Sequence, residues 1–127
     1  MRRASQPKGG YREDLGISVR SGWEANFARY LSWLCGQGEI VSWNYEPCEF
    51  WFEGIKRGCR SYKPDFVVEE KNGAIVYYEI KGWMDSVSAT KLKRMKKYHP
   101  DVKVVLVDSD TYKGLQRSVS RLIPGWE

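Results

Sequence analysis

Apolar residues recur along this chain with two different periods. Between Ser21 and Gly36, Trp23, Phe27, Tyr30, Leu31 and Leu34 fall on one arc of a wheel turned at roughly 100° per residue, with Ala28 and Cys35 extending it. The spacing predicts a helix that opens after Ser21 and is stopped by Gly36 and Gly38. A second helix is expected from about Ser86 to Tyr98, ended by His99-Pro100, with Leu92 and Met95 facing the core. A third runs from Thr111 to about Leu122 behind the capping run Asp108-Ser109-Asp110. Between the first two helices the pattern changes to runs rich in Val, Ile, Phe and Tyr. Ile40 to Tyr45, Cys48 to Phe52, Tyr62 to Val68 and Ala74 to Gly82 read as strands. Val102 to Val107 reads as a strand buried on both faces, parallel to its neighbour because a helix precedes it. The order of elements predicts an α/β fold, a central mixed β-sheet flanked by helices.

Two of these strands carry charged groups where filler is expected. Tyr62 to Val68 contains Pro64-Asp65, Ala74 to Gly82 contains Glu79-Ile80-Lys81, and Lys71-Asn72-Gly73 lies between them as turn chemistry. The parity of the turn decides what the charges do. If Asn72-Gly73 alone made the loop, Asp65 would face Ile80 and no site would form. If Lys71-Asn72-Gly73 makes the loop, with Gly73 left-handed as a bulge, Glu70 pairs with Ala74 and Asp65 lands opposite Glu79. Opposed residues share a face with Cβ atoms ~4.5–5.5 Å apart, and Lys81 points the same way. Two such carboxylates repel each other, whereas a divalent cation between them reverses the sign of the interaction, and Mg²⁺ takes oxygen ligands of this kind. The plain alternative is a solvated strand end with Glu79 paired to Lys81. Pro64-Asp65, Glu79-x-Lys81, the apolar arms and the turn together favour a metal-dependent phosphodiesterase centre.

Glu24 falls inside the apolar arc of the first helix, beside Leu31. A carboxylate there is costly unless it is paired or bound to a metal. Ser21 and Glu24 also fit an S-x-x-E capping box, in which Glu24 reaches back to the N-cap amide. Both roles stay open.

At 127 residues there is room for one domain, with 42% hydrophobic and 14% aromatic content that argues for a folded chain. No apolar run approaches the ~20 residues that span a bilayer, and no secretory signal pattern follows Met1. Cys35, Cys48 and Cys59 are odd in number and form no CxxC spacing, so neither a disulfide framework nor a zinc site is suggested, and the reducing cytoplasm is the expected compartment. The net charge of +5 permits a polyanionic partner without demanding one. Residues 1–19 read as a basic flexible N-terminal arm, either a phosphate-contacting tail or a frayed terminus. Lys56, Arg57 and Arg60 form a basic loop leading into the Lys63-Pro64-Asp65 strand. On the second helix, Lys91, Lys93, Arg94 and Lys97 stand without interspersed acids, which favours phosphate binding over a solvated face. His99, the only histidine, is expected to be structural.

Pro64-Asp65 followed by Glu79-Ile80-Lys81, with the upstream helical Glu24, resembles the PD-(D/E)xK nuclease motif. Within that superfamily the chain is similar to the phage endonuclease I type of Holliday-junction resolvase. The similar stretches are Arg20-Ser21-Gly22-x-Glu24, Tyr62-x-Pro64-Asp65-Phe66, Glu79-x-Lys81-Gly82, His99-Pro100 and Leu122-Ile123-Pro124. The resemblance implies a restriction-endonuclease-like nuclease core over residues 20–127. It implies a crossover junction endonuclease that cuts four-way DNA junctions by metal-activated attack of water on phosphodiesters. Asp65 and Glu79 would be ligands of Mg²⁺, with Mn²⁺ substituting, and Glu24 would join directly or through water. Lys81 would orient the attacking water and stabilise developing charge. Arg20, Lys56, Arg57, Arg60, Lys63, Lys91, Lys93, Arg94 and Lys97 are the candidate DNA contacts. The resemblance further implies an intertwined homodimer and, for a phage protein, the cytoplasm of an infected host cell. Two other readings are a non-catalytic DNA-binding module of the same fold and a linear-duplex or recombination-associated nuclease. The stretch from Cys48 to Arg60 departs from the family pattern in its Gly and Cys content.

Overall fold

The computed structural model describes residues 8–127. The fold is mixed α/β. Strands β1 (Lys8–Arg12) and β2 (Ile17–Ser21) form a hairpin that leads into helix α1 (Gly22–Gly36). Next come β3 (Ile40–Tyr45), the short pair β4 (Phe50–Trp51) and β5 (Ser61–Tyr62), and the hairpin β6 (Phe66–Glu70) and β7 (Ile75–Ile80). Helix α2 (Ser86–Tyr98), strand β8 (Lys103–Val107) and helix α3 (Ser109–Val119) follow, and a 3-10 turn covers Ser120–Leu122. The central sheet has the order β3-β6-β7-β8, antiparallel except for the parallel β7–β8 pair that α2 connects.

Each helix begins at a side-chain cap. Ser21 Oγ accepts from the Glu24 N–H, Asp85 from the Ser88 N–H and Asp108 from the Thr111 N–H. The core lies between α1 and the sheet: Phe27, Ala28 and Leu31 meet Phe66, Val68, Ile80 and Val107, and Tyr112 of α3 closes one end. Trp23, Tyr30 and Leu34 pack around it, as the arc on the helical wheel requires. A second small cluster joins Phe52, Tyr62 and Met95 under α2. His99 has the expected structural place, with Nε2 2.7 Å from the Trp51 carbonyl and its ring against Phe50 and Phe52.

The β6–β7 register is the one that the three-residue loop requires. The Glu70 N–H donates to the Ala74 carbonyl at 2.8 Å, and Gly73 has φ +85°, a left-handed conformation natural to glycine. Phe66 pairs with Tyr78, so the next step of the register sets Asp65 against Glu79.

Two expectations differ from the structure. Met1 to Pro7 of the expected arm lie outside the described residues, but from Lys8 the chain is a hairpin whose Val19 is buried and whose Leu15 and Ile17 pack on the core. Gly9 makes the pairing possible, since a Cβ there would stand 2.7 Å from the Arg20 carbonyl oxygen. Strand β8 is an edge strand rather than one buried on both faces, and Leu106 on it is exposed. Among the described residues no helix is long and apolar enough to cross a membrane.

Candidate active site

Asp65 stands just ahead of β6, a central strand, and its main chain is bridged on both sides. Its N–H donates to the Tyr78 carbonyl at 3.1 Å, and its carbonyl accepts from the Glu46 N–H at 2.7 Å. The side chain is therefore only 2% exposed. Its Oδ2 accepts from the Ile80 N–H at 2.7 Å, which fixes the carboxylate over the end of β7. Glu79 comes from the end of β7, and its Oε1 accepts from the Tyr62 hydroxyl at 2.8 Å. Lys81 follows Ile80; its N–H donates to the Val107 carbonyl at 2.9 Å, and its Nζ lies 3.5 Å from Asp85, the N-cap of α2. Gly82 is needed next, because a Cβ there would press on the Trp23 ring at 3.1 Å.

Glu24 reaches the same place from the first turn of α1. Ser21 caps the helix, but the Glu24 carboxylate accepts from the Arg20 N–H at 2.8 Å, one residue before the N-cap amide of a regular capping box. The Tyr45 hydroxyl donates to the same oxygen at 2.7 Å. Cap and site are thus one arrangement. The side chain ties the chain leading into α1 while Glu24, Asp65, Glu79 and Lys81 all line a single cavity of about 490 Å³.

The electrostatics of this cavity are unbalanced. Burial pushes the Asp65 carboxyl above the usual carboxylate range, and the neighbouring charges of Glu79 and Glu24 push it further; the Ile80 amide and Arg20 oppose this. Burial likewise raises Glu79, against the Tyr62 hydrogen bond and the charge of Lys81. Burial and then Glu79 hold the Tyr62 hydroxyl protonated, and burial with the bond to Glu24 does so for Tyr45, so both phenols are donors. Arg20 Nη2 sits 2.5 Å from Asp65 Oδ1 and 3.3 Å from both Glu24 Oε2 and Glu46 Oε2. Burial lowers the Arg20 pKa, but Glu24, Asp65 and Glu46 more than offset it, so the guanidinium stays charged.

Three buried or half-buried carboxylates that repel one another suit a hard divalent cation chemically, since such an ion takes oxygen donors and would relieve the repulsion. In their present positions, no three His, Cys, Asp or Glu side chains among the described residues form a group ready to hold a metal ion. The guanidinium of Arg20 is bonded to two of these acids, Asp65 and Glu24.

No family model and no curated protein sequence matches the chain.

Of the candidate DNA contacts, Arg20, Lys63 and Lys91 line the cavity. Lys56, Arg57 and Arg60 lie on the loop between β4 and β5, and all three are exposed. Lys93 and Lys97 stand on α2 outside the cavity, with Lys97 Nζ 5.3 Å from the centre of the Tyr98 ring. Arg94 is turned elsewhere: its Nη1 donates to the Cys59 carbonyl and ties α2 to the basic loop. Sequence reasoning missed three partners of the cavity. Tyr45, read only as the end of a strand, packs its ring on Phe66, and its hydroxyl serves Glu24. Tyr62 stands three residues before Asp65, a spacing that the resembling stretch already contains. Glu46 carries no sequence signal, because only the fold brings it to Arg20.

Proposed function

We propose that the chain is a Mg²⁺-dependent, structure-selective DNA endonuclease of the PD-(D/E)xK kind that cuts four-way junctions. The observation that carries this reading is the convergence of Glu24, Asp65, Glu79 and Lys81 on one cavity. A mixed four-stranded sheet with helices packed on it is compatible with a nuclease core of that type.

Asp65 and Glu79 would hold the ion, and Glu24 would join them once released from Arg20. Bound there, the ion supplies the positive charge that makes water a stronger nucleophile and offsets charge on the non-bridging phosphate oxygens. The chain does the rest. The Ile80 N–H holds Asp65, and the Tyr62 and Tyr45 hydroxyls orient Glu79 and Glu24. Lys81 faces the same cavity as a compact ammonium able to orient the attacking water and to stabilise developing negative charge. Lys63 and Lys91 on the wall supply phosphate contacts.

One observation favours a second reading, a non-catalytic DNA-binding module of the same fold. The ion pair between Arg20 and Asp65 neutralises the most buried acid. Incubation of the purified protein with a four-way junction and a matched linear duplex, in Mg²⁺ or in EDTA, separates the readings. We expect Mg²⁺-dependent cutting of the junction alone. Equal cutting of both DNAs removes the junction selectivity and leaves a linear-duplex nuclease. Binding without cutting in any divalent metal selects the binding module.

A further inference from the structure

We propose that Arg20 is a resident counter-cation of the carboxylate cavity that competes with the incoming divalent ion, and that Glu46 is the partner that receives it when the ion binds. The inference rests on the metal reading given above and adds a step to it.

One guanidinium nitrogen, Nη2, serves three acids: Asp65, Glu24 and Glu46. Two of them are the groups that would have to turn to an ion. The side chains of Asp65 and Glu24 are 2% and 7% exposed, whereas that of Arg20 is 61% exposed. The positive charge is therefore the outer member of the cluster and has open solvent to move into, while the acids are fixed. The Arg20 main chain is fixed as well, by the bond from its N–H to Glu24 and by the β1–β2 pairing around it. Withdrawal of the guanidinium thus needs only side-chain rotation. Arginine cannot relieve the conflict by losing its proton, so ion and guanidinium compete for the same oxygens.

Glu46 gives the displaced group somewhere to go. It is the one non-glycine residue with positive φ among the described residues, at +45°. A long side chain in that left-handed conformation is strained, and Gly, Asn or Asp is the ordinary choice. The hydrogen bond from the Glu46 N–H to the Asp65 carbonyl holds the strain in place. The result is a carboxylate aimed at Arg20, 30% exposed and so further out than Asp65. Arg20 can leave Asp65 and Glu24 and keep this third pair. It then stands at the rim of the cavity, where a planar guanidinium suits the phosphate of a bound strand.

The test measures Mn²⁺ binding by calorimetry on the whole chain without nucleic acid. Asp65→Asn should abolish binding. Arg20→Gln should tighten it by about tenfold, as the loss of one competing charge beside buried acids requires, and Arg20→Lys should lie nearer to wild type. A misfolded variant would bind more weakly, so tightening cannot come from damage. Glu46→Gln should loosen binding in the wild-type background and do so less in the Arg20→Gln background. An undiminished effect there means that Glu46 acts on the ion directly, which overturns its receiving role. If Arg20→Gln does not fold, the Arg20 Nε–H resonance of the wild-type protein gives the same answer during a Mg²⁺ titration. A shifted resonance supports displacement, and an unchanged one overturns it. Mn²⁺ binding that is absent, or equal in wild type and Asp65→Asn, defeats the metal reading and the inference together. Binding that needs Asp65 but is no tighter in Arg20→Gln defeats the inference alone.

Discussion

Two clusters of arginines and acids are built on α1, and they are balanced in opposite ways. In one, Asp14 and Glu127 meet Arg12 and Arg29: Arg29 Nε lies 2.8 Å from Asp14, its Nη1 2.8 Å from Glu127, and Arg12 Nε 2.6 Å from Glu127. Asn26, fully buried, completes it by donating to the Tyr112 hydroxyl and the Glu127 main-chain oxygen while accepting from Arg29 and the Glu127 N–H. Acids and cations match in number, and both polar atoms of the Asn26 side chain have partners. In the other cluster Glu24, Glu46 and Asp65 form ion pairs with Arg20 alone, and Glu79 adds a further acid that the charge of Lys81 partly offsets. The pKa directions report the difference. Hydrogen bonds from Arg29 and Arg12 hold the Asp14 and Glu127 carboxyls below their usual range, while burial holds those of Asp65 and Glu79 above it. The first arrangement stabilises the fold as it stands. The second holds its carboxyls against burial and mutual repulsion, a perturbation of the kind that clusters at functional sites.

The sharpest way to break the contrast is to remove charge from each cluster and read different outputs. Asp65→Asn, Glu79→Gln and Lys81→Ala should each lower junction cleavage by roughly 10²–10³ or more, with junction binding still measurable in a gel-shift assay. Retained cleavage in any of them would remove that residue from the chemistry. In the balanced cluster the loss should appear as stability. Arg29→Met is expected to cost roughly 2–3 kcal/mol in denaturant unfolding, below the range for a fully buried pair because Asp14 is half exposed. Cleavage by the folded fraction should not change.

Glu79→Gln carries a second expectation of opposite sign. A carboxyl whose folded pKa lies above its unfolded value of ~4.3 contributes stability at low pH and loses it as pH rises through the folded value. The amide cannot ionise and can still accept from Tyr62. The metal-free variant should therefore be more stable than wild type at pH 8, and the gap should close as pH falls through the folded value. Asp14 and Glu127 work the other way. Their folded pKa values are depressed, so their contribution is present at neutral pH and lost in acid, and Arg29→Met should flatten that acid limb. Unfolding curves from pH 3 to 9 measure both limbs. A Glu79→Gln protein that is less stable at pH 8 would show the unbalanced cluster to be less strained than its burial implies.

The unbalanced cluster was more legible in the sequence than the balanced one, for a physical reason. Asp65 and Glu79 are joined by one tight hairpin, and hairpin registers follow from turn parity, so the turn residues narrowed the choice to two registers, one of which sets them opposite one another. Glu24 was legible because a carboxylate on an apolar helix face demands an explanation. The bounds of β3 and α2 likewise match the apolar runs and breakers that mark them. Asn26, Arg29 and Asp14 gave no such signal. The contacts that close their network lie far along the chain, with Asn26 joined to Tyr112 and Glu127 across 86 and 101 positions and Arg29 to Glu127 across 98. The β1–β2 hairpin was hidden by its composition: Gly9-Gly10 between basic residues looks like a tail, yet Gly9 is what lets the strands approach. Glu46 was hidden because the bond from its N–H to the Asp65 carbonyl and its ion pair with Arg20 close only in the tertiary fold. Local order could be read; pairings closed only by the tertiary fold could not.

Acids and cations line the cavity together, and how a polyanion lies over them sets the smallest of the expected effects. Lys63 and Lys91 line the acid cavity, whereas Lys93 and Lys97 stand on α2 and line none of it. If the phosphate backbone runs over the carboxylates, the first pair offsets their repulsion. Lys63→Ala with Lys91→Ala should then weaken junction binding and lower the slope of log affinity against log salt by ~0.9 for each phosphate no longer neutralised. Lys93→Ala with Lys97→Ala should change the slope by less, and the fold of both variants should be untouched because all four ammonium groups lie outside the ion pairs among the described residues. Equal slopes for the two pairs would mean that the DNA spreads across α2 instead of entering the cavity. A larger change for Lys93 and Lys97 would move the strand off the carboxylates, and the unbalanced cluster would then need a different ligand to account for it.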